Sequence, residues 1–384
     1  MAKQPTDPHV GETPTPDSTG HLSPALLPEE EKPAHTRPVL NSTGLAEFSD
    51  ATESAQRRRA QISDKHGRII HYMRISLTDA CNLRCVYCMP ELMRFRPKKE
   101  LLQTHELERL INRFHDLGFD KFRFTGGEPT IRPDLVQLVQ HAANLPGSPT
   151  VAITTNALRL SELAQPLADA GLHRVNVSLD TLNPHRFEKL TRRDRLPDVL
   201  AGLAAAEKAG LTIKLNAVVV RNFNEADIVE LARLSLKHDW QMRFLEMMPF
   251  GNNEHFQLEE RVEQPSIQAY IEEELGALSP VGDQLDGEAR VFKLDGAPGS
   301  IGFISPVSEP FCASCNRVRL TADGKLRLCL LRDNEVDLMT PLRSGAEDAQ
   351  LDDLIRAGVY HKPWGHDLAQ NRFSTNRGMS EIGG

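Results

Sequence analysis

"CNLRCVYCMP", residues 81–90, sets Cys81, Cys85 and Cys88 inside eight residues, shortly after the strand-like run "IIHYMRISL". Five more apolar runs follow, "KFRFTG", "TVAITTN", "HRVNVSLD", "LTIKLNAVVV" and "QMRFLEMM", most of them separated by helical patterns. In two of those patterns Leu107, Leu110, Ile111 and Phe114, then Leu135, Leu138, Val139 and Ala142, recur at i, i+3, i+4, i+7. Such stripes are the core faces of helices and carry no chemistry. Six strands alternating with helices predict right-handed βαβ units and a parallel sheet. Closed or partly closed, that sheet presents its site at the C-terminal ends of the strands. The informative residues fall there: Cys81 after the first run, Thr125–Pro129 after the second, Thr154–Asn156 after the third, Ser178–Asp180 after the fourth and Met247–Met248 at the end of the sixth.

From about residue 285 the texture changes. "ARVFKLDG", "GSIGFISPV" and the "RLTADGKLRLCL" hairpin read as short antiparallel strands, followed by a helix over residues 348–357. The first 56 residues differ again, with eight of the chain's 25 prolines and nine acidic against three basic residues. A segment so poor in apolar residues cannot offset its chain entropy and is expected to be disordered. It lacks the apolar core of a secretory signal, and its acidity is unlike a transit peptide. It also accounts for most of the net charge of −8, leaving the rest of the 384 residues nearly neutral. No global basic field draws in nucleic acid or anionic membrane, and no run of about 18 apolar residues spans a bilayer. A cytoplasmic protein is expected. The domain reading is a tail over 1–56, an α/β domain over 57–284 and a smaller α+β region over 285–384.

The six cysteines form two sets of three, 81/85/88 and 312/315/329, with none left over. In a chain without an export signal, clustered cysteines more often bind metal than pair as disulfides. Three thiolates can hold one corner of a cubane [4Fe–4S] and leave one iron open. The spacing alone also allows a zinc site completed by His71 or His105, or a structural trio. In the second set, Cys312-x2-Cys315-x13-Cys329 again leaves a vacancy, with no Cys or His within 25 residues on either side to fill it. "FRFTGGEPTIR", residues 122–132, puts two glycines straight after a strand, where backbone can come close to a ligand or simply turn tightly.

CxxxCxxC after the first strand and Gly-Gly-Glu after the second resemble the radical S-adenosylmethionine enzymes. The resemblance implies a partial (βα)6 TIM-like barrel in which the open iron is chelated by the amino and carboxylate groups of S-adenosylmethionine. Reductive cleavage of that cofactor yields a 5′-deoxyadenosyl radical. Tyr87, Gly127, Ser178 and Met248 match positions around the cofactor. The second cysteine set, with "TTN", "NVSLD", "RFLEMM", "NRVRL" and the ending "MSEIGG", is similar to the GTP 3′,8-cyclase family of molybdenum cofactor biosynthesis. That likeness runs from Arg74 to Gly384. The chain departs from the family at Ala157, where Gly often follows "TTN", at Pro249-Phe250 after Met248, and in its long N-terminal segment.

The family resemblance implies two [4Fe–4S] clusters and GTP as substrate. The radical takes hydrogen from the ribose 3′ carbon, and the resulting carbon radical attacks C8 of guanine. No GxxxxGK[ST] or GxGxxG phosphate motif is present, which suits a nucleotide rearranged at ribose and base. Arg74, Arg123, Lys214, Arg317 and Arg319 match the family's substrate contacts, with Thr154 beside them. The open iron held by Cys312, Cys315 and Cys329 would bind the guanine edge. Gly383 and Gly384 match a terminal pair that inserts toward the substrate and is needed to turn the radical into product. A homodimer and transfer of product to cyclic pyranopterin monophosphate synthase are further family expectations. Another radical S-adenosylmethionine enzyme with a different substrate, or a zinc-stabilised binding module, are the competing readings.

Overall fold

The computed structural model describes residues 61–249, 260–282, 287–368, 372–374 and 376–383. All lie in the second of two compact units, Ala51–Gly384. The expected disordered segment 1–56, Phe250 and Gly384 fall outside the described residues.

Six parallel strands succeed one another in chain order: β1 (Tyr72–Ser76), β2 (Lys121–Thr125), β3 (Thr150–Thr155), β4 (Arg174–Ser178), β5 (Thr212–Val219) and β6 (Gln241–Glu246). The helices between them include α1 (Thr104–Asp116), α2 (Leu135–Ala143), α3 (Leu160–Asp169), α4 (Pro184–Thr191) and α5 (Leu196–Lys208). A strand alternates its faces, and here one face is apolar while the other is polar. Met73, Ile75, Phe122, Phe124, Val175, Val177, Ile213, Leu215, Met242 and Phe244 join the same buried core as Leu107, Ile111, Phe114, Leu138 and Leu203 of the helices. Arg74, Arg123, Asn176, Lys214 and Arg243 occupy the alternate positions and are intermediate or buried. Strands of an ordinary parallel sheet are apolar on both faces. Polar alternation therefore marks a lumen kept for something charged.

The C-terminal strands are β7 (Leu278–Pro280), β8 (Arg290–Leu294), β9 (Ser300–Ile304), β10 (Arg317–Leu320), β11 (Lys325–Arg327) and β12 (Glu335–Asp337). Antiparallel pairing joins β7 to β8, β8 to β9, β10 to β11 and β11 to β12. The expected antiparallel pairings are present, and in addition β9 pairs parallel with β6 and β10 parallel with β1. One twisted sheet results, in the order β12-β11-β10-β1-β2-β3-β4-β5-β6-β9-β8-β7. The physical reason is the open barrel itself. Its two edge strands expose unpaired N–H and C=O groups, and a six-stranded sheet left so would invite pairing with another chain. Apolar runs show that a strand exists but not which neighbour it will meet. The hairpin turn was readable: Thr321 N–H donates to Lys325 O at 2.9 Å, and Gly324 takes the left-handed φ of +72° that the turn requires.

Candidate functional site

One cavity takes its wall from the C-terminal ends of the barrel strands and from β9–β11, and both cysteine triads line it. The loop after β1 that carries Cys81 is pinned to the loop after β2. Gly127 N–H donates to Thr78 O at 2.6 Å and Glu128 N–H to Ala80 O at 2.8 Å. A Cβ added at Gly127 would lie 2.3 Å from Ala80 O and 2.5 Å from Asp79 O, both backbone atoms. The Gly-Gly pair is thus required for packing of one loop on the other, and not only for access by a ligand. Glu128 staples the next strand end: Oε1 accepts from the Thr130 and Thr155 hydroxyls at 2.6 and 2.7 Å, and Oε2 from Asn156 N–H at 2.7 Å. Further on, Val86 N–H donates to Leu190 O at the end of α4, and Cys88 N–H to Cys85 O.

Burial pushes the Cys81 thiol up to about 11 and Cys88 to about 12, and Cys85 rises well above its usual value by burial and the neighbouring Cys88. Three such thiols ionise together only beside a compensating positive group, which an iron cluster supplies. Among the described residues no three His, Cys, Asp or Glu side chains converge to hold a single metal ion. A cubane does not ask for convergence, since each thiolate takes a different iron. The zinc alternative finds no support. His71 Nδ1 is bonded to Asp120 at 2.7 Å and its Nε2 to Asn316 at 2.9 Å, and neither His71 nor His105 lines the cavity. Tyr87, Gly127, Ser178 and Met248 do line it. The Tyr87 hydroxyl donates to Asp180 Oδ2 at 2.8 Å, while burial pushes the Asp180 carboxyl up to about 6.

The second triad is built around two buried cations. Arg68 Nη1 donates to Cys312 O and Trp364 O, each at 2.7 Å, and Nη2 to Pro363 O at 2.6 Å. Lys362, only 2% exposed, donates from Nζ to Leu328 O at 2.6 Å, next to Cys329. Burial would raise the Cys315 thiol, yet Lys362, Arg317 and Arg68 carry it below its ordinary value. Neither Lys362 nor His366 was foreseen, because both stand far from the triad in sequence. The His366 ring lines the cavity, and its Nε2 is bonded to Pro306 O at 2.8 Å.

Guanidiniums fill the remaining wall. Arg74, Arg123, Arg243, Arg317 and Arg319 all line the cavity, and Thr154 joins them. Arg74 faces Arg123 across one strand pair and Arg319 across the other. The Tyr72 ring lies under Arg74 and Arg123 at 5.3 Å and under Arg317 at 5.7 Å. Burial pushes Arg123 down to about 9 and Arg243 down to about 10. The Nε atoms of Arg123, Arg243 and Arg317 are buried without a hydrogen-bond partner among the described residues. Orphaned buried donors of one charge are what an absent polyanion leaves behind. Lys214 is buried on the same face of β5 as Asn216 and Val218, but it does not reach the cavity wall. Arg243 was missed: Arg123 came from the family resemblance, whereas strand alternation in "QMRFLEMM" is what puts Arg243 on the same inward face. Glu288, the acid that pairs with Arg74 and Arg317, was missed as well.

The last helix among the described residues, α6 (Met379–Ile382), lies against this site. Met379 and Ser380 line the cavity, and the Ser380 backbone bonds to Cys88. Gly383 O accepts from Arg319 Nη1 at 2.7 Å, and a Cβ there would sit 2.9 Å from Thr125 Cγ2 and 3.2 Å from Ser76 Cβ.

Residues 75–235 match the family model described as the Radical SAM superfamily, and residues 240–368 match Molybdenum Cofactor Synthesis C. The chain is 41% identical over 334 residues to a protein named GTP 3′,8-cyclase from Paracoccus denitrificans (strain Pd 1222), covering 85% of this chain and 96% of that one. It is 44% identical over 323 residues to the GTP 3′,8-cyclase of Gloeobacter violaceus (strain ATCC 29082 / PCC 7421), covering 82% and 99%. In fold it resembles Streptococcus suis SuiB bound to S-adenosylmethionine, with a TM-score of 0.55 at 15% identity over 84% of this chain and 74% of that chain. Identity at that level over more than four-fifths of this chain and nearly all of each relative, with one cysteine triad beyond the strand ends and a second flanking the added strands, leaves one assignment: the chain belongs to the GTP 3′,8-cyclase family of the radical S-adenosylmethionine superfamily.

Proposed function

We infer that this cavity converts GTP to (8S)-3′,8-cyclo-7,8-dihydroguanosine 5′-triphosphate, the first step of molybdenum cofactor biosynthesis. One observation carries the reading: two cysteine triads share a single cavity with a buried arginine cluster. β1 and β10 run parallel in register. Cys81 lies beyond the C-terminal end of β1, and Cys315 stands just before the N-terminal end of β10. At about 3.3 Å per residue the strand pair separates the triads by on the order of 15 Å, with the arginines between. A nucleotide fits that span with its two ends held differently.

Cys81, Cys85 and Cys88 would hold one [4Fe–4S] cluster, with Tyr87, Gly127, Ser178 and Met248 around S-adenosylmethionine. When bound, that cofactor and its reduced cluster would supply a radical at the adenosyl 5′ carbon able to take hydrogen from the ribose 3′ carbon. Closure of that carbon onto C8 of guanine would then be completed by one further electron from a reductant and a proton at N7, giving the 7,8-dihydro product. The chain's own part is placement. Arg74, Arg123, Arg317 and Arg319 hold the triphosphate, with Thr154 beside them and Lys214 beneath. Cys312, Cys315 and Cys329 would hold the second cluster, which by the family resemblance would bind the guanine edge. Fixing both ends of the nucleotide presents the 3′ carbon in one orientation, and orientation supplies much of such a rate. Gly383 sits where a side chain would not fit, and by the family resemblance it and Gly384 are needed to turn the radical into product. We assign cofactor chemistry to residues 57–284 and the second cluster to residues 285–384.

Among the described residues no helix is long and apolar enough to cross a membrane. We propose a cytoplasmic homodimer that passes its product to cyclic pyranopterin monophosphate synthase, as the family resemblance suggests. Paired variants test the two-site reading. Cys85→Ser should abolish reductive cleavage of S-adenosylmethionine, whereas Cys329→Ser should keep binding of that cofactor and lose GTP cyclisation. Normal cyclisation by Cys329→Ser would reduce the second triad to a structural role.

A further inference from the structure

Glu288 has no part in the reaction described above, yet it occupies the centre of the arginine cluster. It is 7% exposed, and its Oε1 accepts from Arg74 Nη2 and Arg317 Nη1. Burial would raise its carboxyl, but Arg317, Arg74, Arg123 and Arg243 hold it well below the usual carboxylate range. Glu128 and Asp180, the other acidic side chains among the described cavity residues, are engaged elsewhere, on Thr130, Thr155 and Asn156 and on Tyr87 and Val218. One carboxylate therefore faces five guanidiniums, and three of their Nε donors stay orphaned.

Glu288 also borders a second cavity, of about 320 Å³, that is lined by Pro280, Arg290, Phe292 and Phe311 among others. It thus stands in a wall common to two spaces, one of which holds the triads. We propose that Glu288 is a resident counter-ion that occupies the phosphate subsite in the free enzyme and is displaced by the triphosphate of GTP into the neighbouring cavity. The proposal rests on the reading that the arginine cluster binds the triphosphate. Without substrate, five buried guanidiniums repel one another, and a carboxylate among them lowers that cost. A triphosphate brings more negative charge and more acceptor oxygens than one carboxylate, so it wins the exchange and reaches the orphaned donors. Guanosine or a small anion cannot repay the separation of Glu288 from two arginines. The residue sets specificity for polyphosphate by making the subsite costly to enter.

The test uses anaerobically reconstituted holoenzyme and titrates inorganic tripolyphosphate, GTP and guanosine by calorimetry, with melting temperatures recorded alongside. Glu288→Gln should melt below the wild type when free, because the arginines lose their partner. It should bind tripolyphosphate and GTP about tenfold more tightly, since a like charge has left the subsite, while guanosine stays within about twofold. Glu288→Asp, with its charge on a shorter arm, should give an intermediate gain, and it carries the test if the Gln variant does not fold. Tripolyphosphate affinity unchanged or weaker in both variants would overturn the proposal. Arg319→Ala separates the two levels of the argument. If it weakens GTP and tripolyphosphate while the Glu288 variants behave as wild type, only the counter-ion idea falls. If it alters neither ligand, the phosphate assignment itself falls, and the counter-ion with it.

Discussion

Gly127→Ala tests how the first triad is positioned. The new methyl group would meet Ala80 O at 2.3 Å, Asp79 O at 2.5 Å and Ala80 C at 2.6 Å. These are backbone atoms, so no side chain can rotate away, and the loop of residues 78–80 must retreat by about 1 Å to reach ordinary contact. That retreat stretches the bonds from Gly127 N–H to Thr78 O and from Glu128 N–H to Ala80 O. Overpacking costs about 1–3 kcal/mol, and each weakened hydrogen bond adds about 1 kcal/mol, so the local penalty is about 3–5 kcal/mol. The fold as a whole can survive a penalty of that size. Cys81, one residue beyond the displaced loop, cannot keep its register with Cys85 and Cys88. Iron and sulfide analysis after anaerobic reconstitution should find the first cluster largely lost and the second retained. Formation of 5′-deoxyadenosine should fall at least about a hundredfold, the equivalent of about 2.7 kcal/mol. Full iron occupancy with normal cleavage of S-adenosylmethionine would refute the packing role given to Gly127.

Three more outcomes follow from the same geometry. Arg68→Ala removes the donors to Cys312 O, Trp364 O and Pro363 O, so iron at the second site should drop while 5′-deoxyadenosine formation without GTP is unchanged. Arg319→Ala should weaken GTP more than guanosine by about 1.5–3 kcal/mol, the typical worth of a charge-assisted contact; equal loss for both ligands, read by calorimetry, would move Arg319 off the phosphates. Deleting Gly383 and Gly384 should leave both clusters and reductive cleavage intact but remove cyclised product, and product at the wild-type rate in a chromatographic assay would show the segment to be dispensable.

Arg74, Arg123 and Lys214 came from the family resemblance; strand alternation allows such residues an inward face, and all three are intermediate or buried on that face. The same rule applied to Gln241, Arg243 and Leu245 would have added Arg243. Both cysteine triads were legible because spacing is local, and so was the Thr321–Lys325 turn. Pairing direction was not legible, since β9 and β10 meet β6 and β1 through backbone groups that carry no residue signature. Lys362, His366 and Glu288 were hidden for a related reason. Each acquires its role by reaching a cysteine or arginine site distant in sequence. At Gly127 the sequence left ligand approach and a tight turn open; the glycine makes room for the Ala80 and Asp79 backbone and also lines the cavity.

The central claim is that the first triad's chemistry reaches the ribose of a GTP held by the arginines and the second triad. GTP deuterated at the ribose 3′ carbon tests it most directly, incubated with reconstituted enzyme, S-adenosylmethionine and a reductant. Mass spectrometry should find one deuterium in 5′-deoxyadenosine, in step with cyclised product. Unlabelled 5′-deoxyadenosine, formed alongside product or independently of GTP, would contradict the account.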